Sequence, residues 1–150
     1  MPLRRSIRII NSLVRGHALL DGRAPAEPHH QKRSVSRSDL AVLSQDELIE
    51  FISIYAPVNA DLAITAMRLV KQRLRLKNFA INPDLPPLVR LAAIRIHGDD
   101  ATNALIARAD HDPDLAAEAA RCIKDPETLL TASDSVHSSV ISIIRSRCAH

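Results

Sequence analysis

Three acids at alternate positions, in Asp110-His111-Asp112-Pro113-Asp114, match the way a calcium loop begins. Such a loop also needs Gly at its sixth position and a bidentate Glu at its twelfth. Counted from Asp110, those positions hold Leu115 and Arg121, so calcium is not expected. His97, His111 and His137 offer imidazole, but their separations of 14 and 26 residues match no local zinc pattern, and loop histidines are the expectation. The His29-His30 pair sits in a polar stretch and reads as solvated. Cys122 and Cys148 are the only thiols, and neither lies beside a candidate His base. No G-x-S-x-G elbow and no H-E-x-x-H occurs, and Asp99 and Asp100 are adjacent capping acids, not a pair held across a cleft. Gly16, Gly22 and Gly98 cannot write a phosphate-cradling loop. The expectation is a non-enzyme with no cofactor and no metal.

Charge is the stronger chemical signal. Arg68, Lys71, Arg73, Arg75 and Lys77 put five cations into ten residues, with no acid between Asp61 and Asp84. That cluster is a candidate partner-binding site for an acidic protein or a nucleic-acid backbone. Single-stranded RNA is disfavoured, because aromatic residues are 2% of the chain and Phe51, Tyr55 and Phe79 are placed for burial. A second candidate is an acidic edge of Asp99, Asp100, Asp112, Asp125 and Asp134, each near an expected helix start, where a carboxylate satisfies free amides and the helix dipole. Residues 1–38 hold eight basic and two acidic side chains, a net of +6, so the remainder of this +3 chain carries −3. A basic arm on a mildly acidic body suggests an interaction tail or an address.

The elements that must carry these residues are helical. Residues 1–20 predict a basic amphipathic helix, with Leu3, Ile7, Ile10, Leu13 and Val14 on one side and Arg4, Arg8 and Arg15 on the other. It reads as a docking helix, an export or organelle address, or a peripheral binder of anionic lipid or nucleic acid. Residues 21–38 predict a flexible linker and residues 39–150 a helical repeat domain. Ser44-Gln45-Asp46-Glu47 is a capping box flanked by Leu43 and Leu48, which predicts a helix from Gln45 to about Tyr55, stopped by Pro57. Asn59 is expected to cap a longer helix running to about Lys77, with Leu62, Ala63, Ala66, Met67, Leu69, Val70 and Leu74 on its apolar face. Arg68, Lys71 and Arg75 then share one stripe of it.

Punctuation becomes regular after Asn82. Asn82-Pro83, Asp112-Pro113 and Asp125-Pro126 each put a capping side chain before a proline. Arg121-Cys122 aligns with Arg147-Cys148 at an offset of 26, and Leu105-Ile106-x-x-x-Asp110 with Leu129-Leu130-x-x-x-Asp134 at 24. The expected units are 88–97 with 101–109, 114–123 with 127–132, and 136–148. Asn82-Pro83-Asp84-Leu85-Pro86-Pro87-Leu88-Val89-Arg90-Leu91-Ala92-Ala93, followed by Leu105-Ile106-Ala107-Arg108-Ala109 and Asp112-Pro113-Asp114, resembles leucine-rich repeat variant and HEAT-like α-solenoid proteins over residues 79–148. The resemblance implies a stack of short helices that binds macromolecules along a groove or edge, and it carries over no site residues. The variant family's Cys cluster is missing here.

The expected fold is all-α, a HEAT-like solenoid or irregular helical bundle of about seven to eight short helices. Cys122 and Cys148 occupy equivalent positions, facing the core about 9 Å apart and reduced. The longest apolar-leaning runs, Phe51 to Ala60 and Ser135 to Ile144, fall short of the roughly 20 residues a membrane span needs. The expected role is a cytoplasmic protein-binding module or adaptor. A nucleic-acid backbone binder using residues 68–77 is the alternative, and an exported or organelle-targeted adaptor addressed by residues 1–38 is a second one.

Overall fold

In a computed structural model the protein is described from Val35 to Ala149. The expected helix at 1–20 and most of the 21–38 linker lie outside the described residues, and the address and lipid-surface readings lie there with them.

The described residues are all-α. Nine α-helices follow one another: α1 (Arg37–Ala41), α2 (Gln45–Tyr55), α3 (Ala60–Met67), α4 (Lys77–Ile81), α5 (Pro87–His97), α6 (Asp100–Ala109), α7 (Pro113–Cys122), α8 (Pro126–Leu130) and α9 (Ser138–Cys148). A 3-10 turn, Arg73–Leu76, leads directly into α4. The count exceeds the expected seven to eight for two reasons.

The first is α1, which corrects the linker boundary. The Ser36 hydroxyl accepts from the Asp39 amide at 3.2 Å while the Asp39 carboxylate accepts from the Ser36 amide at 2.8 Å, a capping box written with Asp in place of Glu. Leu40 is completely buried, so the helical body begins at Ser36. The second is a break in the long helix expected from Asn59 to Lys77. Asn59 does cap it, accepting from the Leu62 amide at 3.2 Å, but the helix ends at Met67. There the Gln45 side chain takes over the backbone's hydrogen bonding, accepting from the Lys71 amide at 2.6 Å and donating to the Leu69 carbonyl at 3.4 Å. Val70 is buried, after which Leu76 enters the core and Leu74 is left 59% exposed.

The capping box of α2 forms as the sequence predicts, with Glu47 and Ser44 exchanging bonds of 2.7 and 3.2 Å. Asn82-Pro83 differs: Asn82 accepts from the Asp84 amide in a turn, and α5 starts at Pro87 with no side-chain cap. Gly98 closes α5 at φ 71°, a left-handed position that a Cβ would strain.

Packing sorts the helices into two layers. In one, α3, α5, α7 and α9 pack in sequence, each on the next. In the other, the 3-10 turn with α4, then α6, then α8, follow the same order. The close hairpins are α2 with α3, α4 with α5, α6 with α7, and α8 with α9, whereas α5 makes little contact with α6. This corrects the expected pairing of 88–97 with 101–109 by one helix. The interface between the layers is rich in small side chains, among them Ala93, Ala107, Ala116, Ala119 and Ala120, all buried, which lets short helices approach closely. Among the described residues no helix is long and apolar enough to cross a membrane.

Candidate functional site

The basic residues do not form a helical stripe. Arg68 caps the end of α3, Lys71 is exposed in the break, Arg73 and Arg75 lie in the 3-10 turn and Lys77 opens α4. Arg75 is paired with Asp46 at 2.7 Å. Arg68, Lys71, Arg73 and Lys77 are exposed and form no ion pair among the described residues.

The acidic edge divides by role. Asp99 caps α6, Asp112 caps α7 and Asp125 caps α8, through the amides of Thr102, Leu115 and Thr128 respectively. Thr102 and Thr128 hold the carboxyls of Asp99 and Asp125 below the usual carboxylate range. Asp100 is not a cap. Its Oδ2 accepts from the amides of Lys124 and Asp125 at 3.0 and 2.9 Å, fastening the α7–α8 junction to the start of α6. Asp134 caps nothing, since α9 begins four residues later behind His137.

The three histidines serve three different junctions. His97 is 2% exposed, and its Nδ1 accepts from the Asp99 amide at 2.9 Å across the α5–α6 turn. Burial pushes its pKa down, opposed by the Asn103 side chain and the Asp99 carboxylate. His97 Nε2 and both amide atoms of Asn103 are buried without a hydrogen-bond partner among the described residues. His137 meets the Asp110 carbonyl at 2.8 Å, and His111 is exposed. Cys122 and Cys148 are free thiols and half-buried at the margin of the core, where both were expected inside it. Burial pushes the Cys122 thiol up, with the Glu118 carboxylate beside it adding to the effect.

Sequence reasoning missed a groove. A cavity of about 440 Å³ opens between the α4–α5 turn and the α6–α7 turn, walled by Ile81, Pro83, Leu85 and Pro87. Its floor is the Arg90–Asp110 ion pair, 8% and 11% exposed. Arg90 Nε also donates to the Ala80 carbonyl at 3.0 Å, and Asp110 accepts from the Asp112 amide at 2.9 Å, so the floor is fixed to α4, α5 and the α6–α7 turn together. Ile81, Ala109 and Asp110 also line a second cavity of about 230 Å³, which reaches Leu105. Leu105 in turn lines a third, of about 350 Å³, with Ala101, Arg108, Thr128 and Thr131. Neighbouring cavities share lining residues along α4 and α6: Ile81, Ala109 and Asp110 between the first two, Leu105 between the second and third. Ile81 and Leu105 are 43% and 48% exposed there. The sequence signal, had it been weighed, was large aliphatics recurring on the outer faces of Ile81, Leu105 and Leu130 at offsets of 24 and 25.

No protein-family model, no curated protein and no solved structure matches this chain.

Proposed function

We propose that this chain is a non-catalytic protein-binding module, a short-helix α-solenoid whose α4–α6–α8 face receives a segment of a protein partner. The row of adjoining cavities from Ile81 past Leu105 to Thr131 carries the reading, because neighbouring apolar hollows beside a polar floor suit a side-chain-anchored peptide. The solenoid part draws support from the tertiary hydrogen bonds. Gln45 to Lys71, Asp100 to Lys124, Ser135 to Ala107, His137 to Asp110 and Arg147 to Ile123 span 24 to 28 residues, close to the sequence offsets of 24 and 26. Several units thus reach back to the one before across a similar interval, as in repeat proteins.

Ile81→Asp with Leu105→Asp tests it in the full chain. Both side chains are about half exposed, so each change costs roughly 0.5 kcal/mol and the fold survives. Proteins that co-purify with the wild type should be lost from the variant. Retention of every one of them rejects the groove.

A second reading, nucleic-acid backbone binding, is favoured by four exposed cations, Arg68, Lys71, Arg73 and Lys77, that form no ion pair among the described residues. Reversing Arg68, Lys71 and Arg73 to Glu then abolishes retention on duplex DNA, and wild-type affinity falls by orders of magnitude between about 50 and 200 mM salt. Salt-insensitive binding that survives the triple substitution belongs to the groove instead.

A further inference from the structure

We infer that the cavity between the α4–α5 turn and the α6–α7 turn takes a basic segment of a protein partner. An aliphatic side chain of that segment packs against Ile81, Pro83, Leu85 and Pro87, and a neighbouring Lys or Arg brings its cation to Asp112. The inference deepens the peptide-binding reading of the α4–α6–α8 face and rests on it.

The wall supplies the apolar half of the argument. At about 440 Å³ the cavity lies near the small end of ligand sites, with room for a few side chains. Ile81, Pro83, Leu85, Pro87 and Ala109 make its apolar part, and Pro83 and Pro87 bring no main-chain N–H to it. Ile81 stands 43% exposed there, uncovered by any described residue.

Two polar groups in the same lining have unused capacity. Arg90 donates from Nε to the Ala80 carbonyl and from Nη2 to Asp110, but its Nη1 makes no hydrogen bond among the described residues, although the side chain is only 8% exposed. The Asp110 oxygens each already accept a bond, from Arg90 and from the Asp112 amide. A guest must therefore bring an acceptor to a guanidinium whose charge is already cancelled. A neutral peptide carbonyl does this, whereas a carboxylate would face Asp110 and Asp112. Asp112 caps α7 through Oδ1 alone, accepting from the Asp114 and Leu115 amides at 2.9 and 3.2 Å, and its Oδ2 has no partner among the described residues.

Charge then fixes the sign. Arg90 and Asp110 neutralise each other, so Asp112, half-buried and hence weakly screened, makes the lining negative. Arg108 lines the cavity beyond Leu105, so a cation on the guest is attracted at the Asp112 end and repelled at the other.

Selection from a displayed library of random short peptides on the full chain tests this, with Ile81→Asn/Leu105→Asn, which changes no charge, as the counter-selection target. Selected peptides should carry Lys or Arg beside an aliphatic residue and be poor in Asp and Glu. One of them is then compared with its form bearing Gln in place of the cation, on the wild type and on Asp112→Asn. That variant keeps an N-cap for α7 and loses the charge; Asp112→Ser, a second uncharged cap, should behave the same. Either change alone should raise Kd about fivefold or more, and both together hardly more than one. A purely structural role for Asp112 makes the two losses independent. Peptides that are acidic or uncharged, or losses that multiply, overturn the inference and leave the groove reading standing. Peptides that bind Ile81→Asn/Leu105→Asn as tightly as the wild type, or a selection that yields no binder, overturn the groove reading and this inference with it.

Discussion

His97 is the side chain whose protonation the fold resists most plainly. Its Nδ1 must stay an acceptor for the Asp99 amide, and a proton there would set donor against donor in the turn that Gly98 makes. Burial depresses the pKa most, Asn103 and Asp99 pull the other way, and Lys77 adds a smaller depression. The folded state therefore binds the proton less readily than the unfolded chain, whose value lies near 6.5. Stability from this residue is complete above that pH and declines as pH falls through it toward the depressed folded value. The denaturation midpoint should drop between about pH 7 and pH 5, and His97→Gln, less stable at neutral pH, should flatten the drop. The carboxylates act in a lower window: Asp99 through Thr102, Glu118 through Arg95 and Asp125 through Thr128 all have lowered values, so their stabilisation is lost below about pH 4. A wild-type midpoint that is flat from pH 7 to 5 rejects the His97 account. Arg90 and Asp110 follow a different rule, because both are nearly buried and each also bonds backbone. Asp110→Ala should cost about 3 kcal/mol by stranding the guanidinium, and a double change to Arg90→Met and Asp110→Leu should recover part of it in a denaturant titration.

At the scale of elements, what the sequence could show was whatever is written within three or four residues. Ser44 and Glu47 predict α2 because both halves of the box are local, and Asp112-Pro113 and Asp125-Pro126 mark α7 and α8 for the same reason. Ser36 and Asp39 carry the same information, yet the Asp variant of the box sits inside a Ser- and Arg-rich stretch that reads as linker. The break after Met67 was not legible, because its cause is Gln45, 26 residues from Lys71. Periodicity alone continued the helix, and so put Leu74 in the core in place of Leu76. The groove was hidden likewise, since it arises from α4, α6 and α8 lying side by side. Two substitutions weigh these local and distant causes. Ser36→Ala should cost about 1 kcal/mol through the lost cap of α1. Gln45→Ala should cost about 1–2 kcal/mol, although its side chain lies at the surface of α2, because the backbone of Leu69 and Lys71 loses its partner. A neutral Gln45→Ala means the break is set by the chain around Val70, not by the amide.

For the whole molecule the decisive question is whether one core or a row of similar interfaces holds the helices. The layers favour the row: α8 and α9 pack on each other, on α6 and on α7, and the bonds that tie them back run to α6 and α7. In such an array stability is a sum over units and their nearest-neighbour contacts, so removing an end unit subtracts its share without destroying the remainder. A chain ending at Lys124 loses the cover that Leu129, Val140 and Ile144 give to α6 and α7, but keeps the core built from Leu40, Phe51, Met67, Leu76, Ile94 and Ile106. It should still unfold cooperatively, at a lower midpoint, with a denaturant slope smaller by about a fifth in proportion to the surface lost. Its α5 and its α6–α7 turn keep the Arg90–Asp110 floor, so the groove's mouth survives while the Thr128–Thr131 end disappears. A truncated chain that shows helical circular dichroism but no cooperative transition points to a single indivisible core. The 24- and 26-residue offsets would then be a periodicity of sequence that the energetics do not share.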